Sequence, residues 1–418
     1  MTEDWIEVEI GEICFTTSGG TPSRNNIEFY QGSIPWVKSG ELDKGIIYDT
    51  EEHISEDAVK KSSAKIFPEG SLLIALYGAT IGKLAFLGVE ATTNQAICGI
   101  YKNEFIDSKY LYNFLLNRKQ KLISQGTGGA QPNISQTILK KLEIPFAPLP
   151  IQRAIVSKIE ALFSDLDNGI ANFKKAQEQL KIYRQAVLKK AFDNDNKSYK
   201  IEKVCKAIFA GGDKPKKFFS IEKTDELTVP IYANAIPNNG LLGYTKEASV
   251  NEKAITIAAR GSGTGHVELR EKPFLPIVRL ITIVPNLDIV HIKYLYCFLK
   301  NIDIKGGGSA IPQLTIPMVK QFQIHLPSIE EQTQIVQEIE SRLSVCDKME
   351  QSINESIIKA EALRQSILKK AFEGKLLSKA EIELCKKETD YEPASELLKK
   401  IQAEKLAKEQ EKKKPKKK

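Results

Sequence analysis

The chain has 418 residues, 42% of them hydrophobic and 27% charged, with a formal net charge of +7. That length predicts two or three domains and that apolar content predicts proper cores, which excludes a disordered or low-complexity protein. The charge excess sits in one place: residues 399–418 carry ten Lys and three Glu and the rest sums to zero, so net charge alone does not diagnose a nucleic-acid binder.

The six cysteines (Cys14, Cys98, Cys205, Cys297, Cys346, Cys385) are scattered, with no C-x-x-C pair, a pattern that suits a reducing compartment. The histidines (His53, His266, His291, His325) are isolated from one another, so no metal site is expected. No basic leader with an apolar run opens the chain, and apolar stretches are interrupted by Lys83 and Arg279. The expectation is a soluble, cytoplasmic protein.

Taken in order, residues 1–147 alternate short β-branched and aromatic runs with Gly, Pro and Asn turns, and KYLYNFLLN (109–117) reads as a short amphipathic helix. Residues 148–195 then read as one long helix behind Pro148 and Pro150. Ile155, Ile159, Leu162, Leu166, Ile170, Phe173, Leu180, Tyr183 and Val187 form a heptad-like stripe. Residues 196–327 repeat the first pattern. Residues 328–376 repeat the helix, with Ser328 and Glu331 as a capping box, a stripe of Ile335, Ile339, Leu343, Cys346, Ile353, Ile357, Leu363 and Ile367, and Gly374 as the stop. Residues 377–418 form a helical, Lys-rich tail, and a run such as EKKKPKKK is expected to be solvated.

The repetition is quantitative. Residues 152–192 and 332–372 align without a gap, with 14 of 41 positions identical, where chance gives roughly two or three. The modules match more weakly but in the same order: IPWVKSGELDKGIIYDT (34–50) with VPIYANAIPNNGLLGYT (229–245), LLIALYGATIGK (72–83) with AITIAARGSGTGH (254–266), KYLYNFLLN with KYLYCFLKN (293–301), and GTGGAQPNIS (126–135) with GGGSAIPQLT (306–315). A period this long means two whole modules, not a solenoid. The predicted architecture is α+β: two tandem-repeated modules separated by two long helices paired as an antiparallel coiled coil, with a pseudo-two-fold relation. The other arrangement, each helix packed alone on its own module, leaves their shared length unexplained.

Tests for chemistry are negative. GATIGK (78–83) has only three residues between its glycines and Leu84 where a magnesium-holding hydroxyl belongs. GSGTG (261–265) occupies the repeat position of GATIG and reads as a tight turn. No N-P-P-aromatic methylation motif or nuclease cluster is present. The loops do carry groups that can read DNA. In the first module these are Arg24, Lys38, Ser39, Tyr77, Thr80, Lys83, Asn94, Gln95, Gln131 and Asn133; in the second, Lys214, Lys216, Lys217, Asn234, Arg260, Ser262, Thr264, His266, Arg279 and Gln313. Arg and Lys pair with guanine edges, Asn and Gln with adenine, and hydroxyls or Gly-rich backbone with phosphates.

The two modules, the helices ending in RQAVLKKAF and RQSILKKAF, the starts at Pro148 to Gln152 and around Gln332, SGGTPSR (18–24), WVKSGEL (36–42), GAQPNIS (129–135) and EPASELLKKIQAEK (392–405) resemble the specificity subunit of type I restriction-modification systems, over nearly the whole chain. The second module departs from the motif, with IPQLT in place of QPNIS. The resemblance implies a non-catalytic DNA-recognition subunit whose modules, residues 1–147 and 196–327, are target recognition domains, each reading half of a split double-stranded DNA sequence. It further implies helices that set the spacer and dock two modification (methyltransferase) subunits. Candidate docking residues are Gln152, Arg184, Gln185, Lys189, Lys190, Gln332, Arg364, Gln365, Lys369 and Lys370. On the same resemblance the partners, including restriction (translocase and nuclease) subunits, carry S-adenosylmethionine, ATP and magnesium, and the assembly is an adenine-N6 methyltransferase and ATP-dependent endonuclease. A fused enzyme, a coiled-coil scaffold with protein-binding modules, and a solitary specificity protein remain open alternatives.

Overall fold

The apolar run Leu72–Ala75 is buried at all four positions, and it forms a central strand, where a run with no polar face can be covered on both sides. It belongs to a computed structural model that describes residues 4–125, 133–193, 197–234, 237–261, 263–302 and 313–413. The chain divides into two units, Met1–Ala171 with Ile357–Lys418, and Asn172–Ser356, so each unit holds one module and a part of both long helices.

In the first unit a five-stranded sheet has the order Thr16–Ser18, Ile97–Ile100, Leu72–Ala75, Leu84–Leu87, Ile46–Ile47. A second sheet runs His53–Ile54, Ile34–Val37, Ala91–Thr93, Ile66–Phe67. The second unit repeats the main sheet as Cys205–Ala210, Ile281–Pro285, Ala254–Ile257, Val267–Arg270, without the fifth strand. Its smaller sheet is Leu241–Thr245, Val229–Tyr232, Leu275–Pro276. The registers agree as well: Cys98 faces Ile74 in one, and Ile281 faces Ile257 in the other. Antiparallel pairing of the first and last strands closes each module, Ile6–Glu9 with Glu143–Phe146 and Ser198–Lys200 with Gln323–His325.

The KYLY segments are helical, but unequal: Ser108–Gln125 against Ile292–Asn301. Each packs a fully buried tyrosine under its module. The hydroxyl of Tyr110 donates to the Pro145 carbonyl at 2.6 Å and that of Tyr294 to the His325 carbonyl at 2.9 Å.

The long helices are Leu149–Phe192 and Ile329–Phe372, 44 residues each. Pro150 lies inside the first turn, where a missing N–H costs nothing. The capping box forms, Ser328 N–H on Glu331 at 2.9 Å and Glu331 N–H on the Ser328 hydroxyl at 3.3 Å, and Gly374 ends the second helix at φ +70°. In the first unit Ile155 and Ile159 share a core with Ile367, Leu368, Ala371 and Phe372, while Arg364 stacks on Phe163 and pairs with Asp167. In the second, Gln177 bonds Asn354 at 2.7 Å, Arg184 bridges Asp347 and Glu350 at 2.7 and 2.9 Å, and Val187 packs on Ile339. Residue numbers rise on one helix as they fall on the other, so the pairing is antiparallel within each unit. The terminal phenylalanines of the repeat land alike: Phe372 lies 5.1 and 5.3 Å from Tyr110 and Phe114, and Phe192 lies 5.0 and 5.5 Å from Tyr294 and Phe298.

Two docking candidates are corrected here. Gln152 and Gln332 are fully buried and face no partner. Gln152 accepts from Asp107 N–H at 2.8 Å and donates to the carbonyls of Ala147 at 2.7 Å and Phe105 at 3.4 Å. Gln332 repeats this with His291 N–H at 2.7 Å and the Pro327 and Ile289 carbonyls at 3.0 and 3.2 Å. Arg184 and Arg364 are part-exposed and pair with carboxylates of the other long helix, and Gln185, Lys189, Lys190, Gln365, Lys369 and Lys370 are exposed.

The tail completes the first unit. Lys379–Cys385 and Ala394–Lys413 are helical, and Cys385, Ala394, Leu397 and Ile401 are buried in the first unit's core. Arg153 forks onto Asp390 and Glu388 at 2.8 Å each, Lys158 meets Glu381 at 2.6 Å, and Lys405 donates to the carbonyls of Gly11 and Glu12. The last five lysine-rich residues, 414–418, lie outside the described residues.

Because a buried amide that loses its partner costs about 1–3 kcal/mol, Gln152→Leu is expected to destabilise the first unit by about that amount and Gln332→Leu the second. Denaturant unfolding followed by hydrogen exchange should place each loss in its own unit; a loss spread equally over both would contradict the assignment.

Candidate nucleic-acid interface

Backbone bonds gather the candidate loops at one end of each module. In the first, Gly20 N–H bonds the Thr93 carbonyl at 2.9 Å, Asn94 N–H bonds Val37 at 3.0 Å, Leu76 N–H bonds Ala96 at 2.8 Å and Ile134 N–H bonds Leu76 at 2.7 Å. These four bonds bring Lys38 and Ser39, the Tyr77–Lys83 turn, Asn94 and Gln95, and Asn133 around the loop that carries Thr21 to Arg24. Tyr77 and Asn133 also form an isolated β-bridge.

The second module repeats the device with substitutions. Leu314 N–H bonds the Ala259 carbonyl at 2.9 Å, Ile277 N–H bonds Tyr232 at 2.9 Å, and Val278 and Arg279 N–H bond Gly212 and Gly211 at 2.7 and 3.1 Å. Asn234 stands where a backbone bond closes the first module: its amide oxygen accepts from Ala259 N–H at 2.8 Å and its nitrogen donates to the Val278 carbonyl. The Gly-rich turns superpose bond for bond, Ala75 to Lys83 in one and Ala258 to His266 in the other, each at 2.9 Å, with Gly78 and Gly261 at φ +78° and +79°. A tight turn is therefore what both sequences build, and Tyr77 and Arg260 enter it at equivalent positions.

Within this cluster the side chains divide by role. Arg24 lies 4.2 Å from the Tyr30 ring and 5.0 Å from Trp36 and pairs with Glu52 at 2.5 Å. Trp36 and Tyr30 in turn donate to the Gly20 and Pro22 carbonyls at 3.1 and 2.7 Å, fixing the loop. Lys38 meets Glu51 and Glu52 at 2.8 and 3.1 Å, and Lys83 meets Asp43 at 3.1 Å. Gln95 is exposed and accepts from the Thr21 hydroxyl; Asn133 is exposed, Thr80 is half-buried with its hydroxyl donating to the Tyr77 carbonyl at 3.4 Å, and burial raises the Tyr77 phenol above its ordinary range. Asn94 bonds Ala96 N–H at 3.1 Å and shapes the turn. In the second module Arg260, Arg279, Gln313, Lys216 and Lys217 are exposed. Lys214 lies over the Phe219 ring at 3.6 Å, and His266 sits 2.9 Å from Glu268. Thr264 is buried, its hydroxyl donating to the Gly261 carbonyl at 2.8 Å, so it holds the turn and does not face a ligand. Gln131 and Ser262 lie outside the described residues.

Three features were not read from the sequence. Glu51 and Glu52 neutralise cations that sequence alone presents as free. Phe218 is 61% exposed at φ +56°, beside Lys246 at 5.6 Å, while the neighbouring Phe219 turns inward over Gly243, where an added Cβ would clash. Its signal was the KPKKFF run, an aromatic pair set among lysines. Val278 and Arg279 are consecutive left-handed residues at φ +52° and +60°. That conformation is disfavoured for a β-branched side chain, and here the bonds to Gly211, Gly212 and Asn234 impose it.

The chain is thus a duplicated α+β scaffold that presents differing polar loops on a common frame. A family model described as "Type I restriction modification DNA specificity domain" matches residues 2–175 and 193–359, and the chain belongs to that family. A putative type I specificity subunit of Mycoplasma pneumoniae is 32% identical over 254 residues, 57% of this chain and 74% of that protein. The specificity subunit of the Escherichia coli type I enzyme EcoprrI is 26% identical over 390 residues, 87% of this chain and 94% of that one. The fold is similar to the crystal structure of the HsdS subunit from Thermoanaerobacter tengcongensis, with a TM-score of 0.63 at 20% identity, covering 90% of this chain and 98% of that one. No described helix is long and apolar enough to cross a membrane.

Relieving the strained turn gives a direct test of it. Val278→Gly is expected to stabilise the second unit by about 1 kcal/mol, since the left-handed region costs an L-residue roughly 1–2 kcal/mol; a lower thermal midpoint would mean that the side chain supplies packing that its 54% exposure does not suggest.

Proposed function

We propose that this chain reads a bipartite DNA target, the first module's loop cluster contacting one half-site and the second module's the other. What carries the reading is one observation: the same loops are gathered by equivalent backbone bonds on the same strand order, while the side chains they present differ, Tyr77 against Arg260 and Gln95 against Val278, with Arg279 next to it. A conserved frame with altered donors and acceptors is what two different half-sites require.

In this reading the protein contributes geometry and hydrogen bonding but no bond-making step. The long helices act as the ruler and dock two modification subunits through exposed Gln185, Lys189 and Lys190 and their counterparts Gln365, Lys369 and Lys370. Those partners supply S-adenosylmethionine and adenine-N6 methyl transfer, and restriction subunits supply ATP- and magnesium-dependent cleavage. A body of zero net charge fits a subunit whose partners provide much of the phosphate contact, so the isolated chain is expected to bind DNA poorly.

Co-expression with a modification subunit, followed by genome-wide mapping of modified adenines, is expected to yield a split motif with one fixed gap. Inserting four residues into both helices adds about 6 Å to each and should lengthen the gap by one or two base pairs with both half-sites unchanged. An altered half-site at the original gap would refute the ruler. Failure of the two chains to associate would favour the scaffold alternative.

A further inference from the structure

The two modules hold their cations differently. In the first, Arg24, Lys38 and Lys83 are all paired with carboxylates. In the second, among the described residues, Lys216, Lys217, Arg260 and Arg279 have no carboxylate within ion-pair distance and stand exposed. Glu52 is central to the contrast, because one carboxylate serves two cations: Oε2 meets Arg24 Nη1 at 2.5 Å and Oε1 meets Lys38 Nζ at 3.1 Å. Arg24 holds the Glu52 carboxyl below the ordinary carboxylate range, so it stays charged.

Glu52 is also fixed from behind. Its carbonyl accepts from Trp36 N–H at 3.0 Å and from the Thr50 hydroxyl at 2.6 Å, and Trp36 belongs to the aromatic shelf on which Arg24 lies. The carboxylate is therefore held in place at the loop cluster, where DNA would arrive. A phosphate approaching Arg24 or Lys38 meets a bound negative charge within a few ångströms, well inside a Debye length, and the attraction is cancelled. A base edge meets something different: guanine accepts from a guanidinium, and the amino group of cytosine donates to a carboxylate.

We propose that Glu52 is a specificity-determining residue of the first module, which withholds Arg24 and, together with Glu51, Lys38 from DNA phosphates and leaves them to base edges in the correct register. The inference rests on the DNA-reading role proposed above. It divides the labour between modules: the second supplies most of the sequence-independent attraction, and the first discriminates.

The test uses the full chain assembled with its modification subunits, and duplexes with and without the mapped target, titrated over a range of salt. Glu52→Gln keeps the shape and removes the charge. It is expected to tighten non-target binding about tenfold and to steepen the dependence of log K on log salt by about 0.9 for each cation that gains a phosphate, so that the target to non-target ratio falls. Glu222→Gln, which removes an exposed charge elsewhere in the second module, controls for net charge. Should Glu52→Gln fold poorly, Glu52→Asp retains the charge but shortens the bridge, and an intermediate salt slope is expected. An unchanged slope in a wild-type complex that does select its target, or a shift no larger than that of Glu222→Gln, overturns this inference alone. A wild-type complex that binds all sequences equally removes the DNA-reading role and this inference with it.

Discussion

Each long helix begins with a glutamine sealed from water whose amide bonds only to backbone. Gln152 and Gln332 tie the helix start to the loop that enters the KYLY helix and to the residue that leaves the last strand. Three segments of chain are thereby locked at one point, and the loop cluster depends on that lock, since the strands that gather the loops are closed by the same terminal strand pair. A buried amide that must satisfy three backbone groups tolerates very little displacement, because each lost partner leaves a desolvated dipole. Precision at the loops therefore starts from a residue with no part in recognition.

Most of the frame was legible in the amino-acid pattern because burial writes itself into periodicity. The duplicated helices, their stripes apart from Tyr183 and Leu363, which stand 44% and 48% exposed, the capping box at Ser328, the stop at Gly374 and the tight turns at Gly78 and Gly261 all follow from local rules. What periodicity does not encode is which polar residue meets which. Arg24 and Glu52 are 28 positions apart, Lys83 and Asp43 are 40 apart, and neither pair lies on one helix face where spacing would reveal it. Gln152 and Gln332 were misread for a related reason: a glutamine at a helix start looks solvent-facing until a tertiary pocket supplies three backbone partners.

The loop clusters show a division between scaffold and reader. Thr264, Asn94 and Asn234 were read as DNA contacts, yet each uses its polar group to shape a turn. Asn234 in particular replaces a main-chain bond that the first module makes directly between Leu76 and Ala96. Such substitutions let the two modules diverge in loop path without losing the closure between strands. The groups left facing outward, Gln95 and Arg279 at one equivalent turn and Tyr77 and Arg260 at another, differ in charge and hydrogen-bonding capacity.

The duplication is broken along one helix face. Ile151, Ala154 and Leu162 of the first long helix become Glu331, Gln334 and Arg342 in the second. In the first unit that apolar strip belongs to the core that Leu376, Leu377, Ile382 and Cys385 of the tail join, while Glu331, Gln334 and Arg342 stand in water. The halves are consequently not self-sufficient as inheritable pieces. A shortened gene ending after the first long helix would encode an oily strip without its cover, a liability for aggregation, and one encoding only the second half would uncover Ile367, Leu368, Ala371 and Phe372, which the first module buries. Rearrangements that recombine such genes would then be filtered by solubility before recognition is ever tested.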